Sequence, residues 1–141
     1  MNKRYFIVLA TCVLLVAVLA SVFVTSSVQN AIAKNELTDT LKQHANNAAT
    51  DFSEYVQTGK ESYYISAVSS FYAFQQTYLS LKGSDSNYLF MNEVYGYLVL
   101  TPDEAKTHAS ELAEVMRILS KDPFHANGYH KLSSLRNALK D

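Results

Sequence analysis

The chain has 141 residues, 48% of them hydrophobic, and a formal net charge of -1. That balance gives no electrostatic basis for nucleic-acid binding, which draws on a basic patch or stripe. A single cysteine, Cys12, excludes an intrachain disulfide.

The hydrophobicity is concentrated at the start. From Tyr5 to Val24 the run YFIVLATCVLLVAVLASVFV has no charge in 20 positions. At 1.5 Å of rise per residue this makes about 30 Å of helix, the thickness of a bilayer's hydrocarbon core. Lys3 and Arg4 precede the run, and the next charge is Lys34. The positive-inside rule then leaves the N-terminus in the cytoplasm and sends the remainder across. The expected organisation is a cytoplasmic tip and signal-anchor over residues 1–26, held in the lipid bilayer through residues 5–24, and an extracytoplasmic domain over 27–141. Ala31 and Ala33 flank Ile32 in a small-x-small pattern, so a secreted chain released after Ala33 is the alternative. The apolar run is longer than the roughly 7–15 residues of a signal peptide's hydrophobic region, which favours the anchor. Cys12 reads as a lipid-facing or packing residue. Ala10, Ala17 and Ser21 offer small surfaces for self-association, without a glycine-based dimer motif.

Beyond the apolar run every segment reads as helix. Leu37, Leu41, Ala45, Ala48, Phe52 and Tyr55 recur at steps of three and four and form one stripe. Neither Pro nor Gly lies between Ser26 and Asn30, so this helix is expected to continue the apolar one. The break falls at Thr58-Gly59-Lys60.

Ser62 to Leu81 carries six aromatic rings and no charge. Tyr64, Val68, Phe71, Gln75 and Tyr78 make its inner seam, with Ile65, Tyr72 and Leu79 beside it and Ala67 and Phe74 broadening the band. Ser62, Ser66, Ser69 and Ser80 occupy a weakly polar opposite side. A helix with no charge between Glu61 and Lys82 is expected to be covered over much of its circumference. A turn follows at KGSDSN, with Ser86 as the expected cap of the next helix. Tyr88, Met91, Val94, Tyr95, Leu98 and Val99 give that helix its apolar side. Its YGYLVLT segment also has strand character, but a lone strand would leave its backbone unpaired.

TPDE at 101–104 matches a capping box, with Thr101 as cap, Pro102 at the first helical position and Glu104 at the third. One helix is expected from there to about Lys121, burying Ala105, Ala109, Leu112, Met116 and Leu119. Asp122 precedes Pro123 and leaves helical geometry. A short final helix offers Tyr129, Leu132, Leu135 and Leu139. The fold class is therefore all-α: a single transmembrane helix followed by a compact antiparallel bundle of four to five helices.

Chemical motifs are sparse. Glu104, His108 and Glu111 share one helix side, but a carboxylate metal site in a bundle needs matching ligands from facing helices. His44, Asp51 and Glu54 sit on the first helix, while the second has no acid in its interior. His125 and His130 lack zinc-ligand spacing. No nucleophile elbow or phosphate-cradling glycine loop is present. Neither catalysis nor a cofactor is expected.

Tyrosine remains. Tyr63, Tyr64, Tyr72, Tyr78, Tyr95 and Tyr97 are too many for one core, and those turned outward are the candidate interaction or pocket-lining residues. The expected function is a membrane-anchored extracytoplasmic interaction or accessory module without catalytic activity, working with a membrane or cell-surface protein or with itself. The alternative is a ligand-sensing bundle that signals through a membrane partner, recognised by an enclosed cavity with convergent hydroxyls.

Overall fold

The computed structural model describes residues 3–140, with side chains from Leu15 onward. The readings of Ala10 and Cys12 lie outside the described side chains. All regular structure among the described residues is helical. In chain order the helices are α1 (Lys3–Thr58), α2 (Glu61–Lys82), α3 (Ser86–Leu100), α4 (Pro102–Thr107), α5 (Ala109–Lys121) and α6 (Ala126–Ala138). Packing divides the chain into two units, Met1–Glu36 and Leu37–Asp141.

The first unit consists of the start of α1. Leu15, Val18, Leu19, Val22, Phe23, Val28 and Ile32 are all more than half exposed. Within it lies a stretch long and apolar enough to cross a membrane, none of it buried by the protein. Ser21 and Thr25 turn their hydroxyls back onto Ala17 and Ser21 carbonyls, at 2.9 and 2.8 Å. Their polar groups are thereby satisfied within the helix. As the absence of Pro and Gly implied, α1 continues unbroken to Thr58.

The second unit starts where burial starts, with Leu41 the first residue closed off completely. Leu41, Ala45, Ala48 and Phe52 are the inner stripe of α1 expected from their spacing. Two glycines at left-handed φ, Gly59 at 65° and Gly83 at 76°, end α1 and α2. The missing Cβ makes that backbone inexpensive.

The helices of this unit pack as a ring: residues 37–58 of α1, then α2, α3, α6 and α5. Asp51 and Phe52 meet Ser66 and Tyr64 across α1/α2. Gln75 and Tyr72 meet Asn92 and Tyr95 across α2/α3. Glu114 pairs with Lys131 and Leu119 abuts Gly128 across α5/α6, and Arg117 reaches Ser53 across α5/α1 at 2.9 Å. In the first three pairings partner numbers rise on one helix as they fall on the other, which is antiparallel. A ring of five cannot alternate throughout. The exception is α3/α6, where Phe90 lies near His130 and Glu93 meets Arg136 at 3.5 Å, a parallel register. Phe52, Phe71, Phe74, Met91 and Met116 are wholly buried at the centre. Each such side chain contributes roughly 1.5–3 kcal/mol of transfer free energy.

Three local expectations are corrected. Asp85, not Ser86, caps α3: its carboxylate accepts from the Tyr88 N–H at 2.9 Å. An ionised acceptor there is stronger than a hydroxyl. The capping box at 101–104 does not form. The Thr101 hydroxyl donates backward to the Tyr97 carbonyl at 3.1 Å, and only Pro102 keeps its expected place. The single helix over 102–121 is two, parted at His108. Thr107 and His108 are both weak helix formers, and the break falls between the buried Ala105 and Ala109.

Candidate functional site: an uncharged face on the α2/α3 pair

The six candidate tyrosines separate into core and surface. Tyr64 is buried, and its hydroxyl donates to the Leu98 carbonyl at 2.9 Å. Tyr78 is buried as well; its hydroxyl donates to the second oxygen of Asp85 at 2.7 Å. Burial pushes both phenols up to about 12. Lys106 lies 5.3 Å from the Tyr64 ring centre and pairs with Glu61, tying α4 to the start of α2. These two rings fasten helices together. Tyr63 and Tyr97 are half-buried, and Tyr97 packs against the core.

Tyr72 is different. It is 45% exposed, and its ring lies against Tyr95 with centroids 5.0 Å apart and planes at 34°. The α2 face that carries it is open: Ser62, Ile65, Ser69 and Ser80 are exposed beside it, Ile65 at 62%. The expectation that α2 would be covered over much of its circumference fails at this face. α2 is flanked by α1 and α3 and is also met by α4 at Glu61 and by α6 at Tyr78, while Ile65, Ser69 and Tyr72 stay exposed. On α3 the face continues through the exposed Asn92 and Val99 and the half-buried Tyr95 and Gly96. No charged residue occurs on α2 between Glu61 and Lys82, and α3 has only Glu93, which turns to Arg136.

The remaining polar groups form ordinary surface pairs. His108 stands 3.9 Å from Glu111, and Glu114 is held below its usual range by Lys131. Among the described residues, no group of three His, Cys, Asp or Glu is placed to hold a metal ion. Clefts open at several places on the surface, among them two beside α6. One, of about 340 Å³, runs between α5 and α6 past His108, Glu111 and Leu135. The other, of about 430 Å³, lies between the first turns of α3 and α6 and is lined by Phe90, Phe124 and Tyr129. Neither is lined by a candidate tyrosine. Ala31 and Ala33 sit exposed inside α1.

The sequence reading missed the exposed aliphatic companions of Tyr72. Ile65, expected beside the buried seam, is instead exposed, and its position on the helix wheel borders the serine side. Comparisons with protein families, with curated proteins and with solved structures gave no match to this chain.

Proposed function

We propose that this chain is a membrane-tethered interaction module, without catalytic activity, that docks a protein through the uncharged α2/α3 face. The carrying observation is Tyr72, an exposed ring stacked on Tyr95 in a helix face with no charge. Helix faces that meet water ordinarily carry charged residues, while cores of protein interfaces are depleted in charge and enriched in tyrosine. The face is a surface waiting for a cover.

The tether rests on the apolar start of α1 and the two basic residues before it. In this reading the N-terminus is cytoplasmic and the bundle extracytoplasmic. Uncleaved attachment is supported by the helix around Ala31 and Ala33, because proteolysis favours exposed loop tips over hydrogen-bonded helix. The ligand-sensing alternative calls for an enclosed cavity, whereas the clefts described open to the surface.

Native mass spectrometry of the full-length protein, gently extracted from its membranes, tests this reading. The expected result is an intact chain with a stoichiometric protein companion. Tyr72→Lys should remove that companion while leaving the thermal melt unchanged. A chain beginning at Lys34, or a companion indifferent to Tyr72→Lys, would overturn it.

A further inference from the structure

We propose that the cleft between the first turns of α3 and α6 binds a small aromatic acid, a flat ring carrying a carboxylate. The cleft shares no residue with the α2/α3 face, and the proposal does not depend on the docking reading.

The cleft holds about 430 Å³, within the range that takes small organic ligands. Three rings wall it: Phe90 on α3, Tyr129 on α6, and Phe124 in the loop before α6. The Tyr129 hydroxyl is committed to the Pro123 carbonyl at 2.7 Å, and its ring packs on Tyr78 with centroids 5.7 Å apart. Tyr129 therefore offers the cleft a ring rather than a hydroxyl. The Phe124 N–H donates to the Asp122 carboxylate at 3.0 Å, which fixes the loop while the ring stays 38% exposed. A flat aromatic ligand gains from offset or edge contacts with such rings beyond the area it buries.

Charge decides which aromatic ligand fits. Lys82 Nζ lies 4.7 Å from the centre of the Phe124 ring, and Arg136 Cζ lies 4.7 Å from that of Phe90. Two of the three ring walls thus already carry a cation. A cationic ligand would meet like charge where an open aromatic cage would attract it. The neighbouring carboxylates are engaged as well: Asp85 by Tyr78 and the Tyr88 N–H, Glu93 by Arg136, and Asp122 by Phe124. Arg136 is balanced by Glu93, but Lys82 pairs with no carboxylate among the described residues. An anion is the charge this cleft lacks. Its walls also hold donors. Ser53, Ser69, Ser80 and Ser134 turn their hydroxyls onto carbonyls of their own helices. The hydroxyls of Ser86 and Ser133, which line the cleft, have no partner among the described residues. With the imidazole of His130 they present donors to a carboxylate, which only accepts. A neutral hydrocarbon ring would use neither these donors nor the Lys82 charge.

The test is equilibrium dialysis of the full-length protein in nanodiscs of zwitterionic lipid, against empty nanodiscs. Two probes share one ring system and differ in charge: 2-naphthoate and 2-naphthylmethylammonium. The expected result is saturable one-to-one binding of the acid and no saturable binding of the ammonium. Lys82→Gln should weaken the acid roughly three- to fivefold, the effect of one exposed ion pair. Ser133→Phe, which fills the cleft from its α6 wall, should remove binding, with a thermal melt to show that the variant is folded. Tyr72→Lys should leave binding unchanged. Absence of saturable acid binding to the wild type overturns the proposal. Equal binding of the ammonium does so too, since charge then selects nothing. Acid binding that survives both Lys82→Gln and Ser133→Phe in full lies elsewhere on the chain and also overturns it. The comparison of acid with ammonium uses the wild type, so it stands even where a variant fails to fold.

Discussion

The Tyr64 hydroxyl donates to the Leu98 carbonyl at 2.9 Å, across the α2/α3 boundary. In a continuing helix that carbonyl would accept from the N–H of residue 102, but residue 102 is Pro102 and has none. A side chain from α2 thus fills the vacancy that a proline leaves at the end of α3. Leu98 is itself buried, so water is a poor substitute.

Tyr64→Phe keeps the ring and removes that donor. The buried carbonyl left behind should cost about 1–3 kcal/mol. The measurement is a thermal or urea melt beside Tyr72→Phe, whose exposed hydroxyl should change stability by no more than about 0.5 kcal/mol. Equal effects from the two substitutions would contradict the assignment.

The glycines at 96 and 128 should respond to alanine with opposite signs. A Cβ on Gly128 would lie 2.5 Å from Leu119 Cδ2 and 3.0 Å from Leu119 Cγ, where α6 packs on α5. Gly128→Ala should therefore destabilise by roughly 1–3 kcal/mol, as overpacking does. Gly96→Ala, free of any contact, should stabilise the monomer by up to about 1 kcal/mol. Denaturant midpoints of the two variants decide the matter.

Asp85 holds the N-terminus of α3 with one carboxylate oxygen and the Tyr78 hydroxyl with the other. Asp85→Ala should lose about 1–2 kcal/mol, the upper part of the range for a cap. Ser86→Ala, one residue on and exposed, should be close to neutral. If the two exchange magnitudes in equilibrium unfolding, the serine is the cap after all.

Burial raises the pKa of Tyr64 and Tyr78 from 10.0 to about 12, and raises that of Tyr129 as well. Tyr129 is buried and donates to the Pro123 carbonyl at 2.7 Å. For each, folding favours the neutral phenol. The stabilisation is complete below the unfolded value of 10.0 and is lost as pH rises from there toward about 12. Tyrosinate absorbance and far-ultraviolet circular dichroism should therefore change together in the late part of an alkaline titration. Full ionisation of all tyrosines with helicity intact would show that these three are not buried.

The stripes of α1, α2 and α3 were legible because spacing of three and four needs only the sequence. So were the ends of α1 and α2, since each has a glycine where the backbone must turn left-handed. The His108 break was not legible: a continuous apolar stripe across Ala105 and Ala109 reads as one helix, and weak helix formers such as Thr107 and His108 are common inside unbroken helices. The choice of Asp85 over Ser86 turned on the reach of Tyr78, which is set by packing. The exposed face was misread for an instructive reason. Absence of charge signals burial, but the sequence of one chain does not say which molecule provides the cover. The parallel α3/α6 pair follows from ring closure by an odd number of helices, a property of the assembled unit.

The most direct test of the docking account places a photo-activatable cross-linking residue at position 65 or at position 111 of the full-length protein in its own membranes. Both positions are exposed, on α2 and α5 respectively. The account predicts a discrete protein adduct from position 65, abolished by Tyr72→Lys, and none from position 111. No adduct from position 65, or equal adducts from both positions, would contradict it.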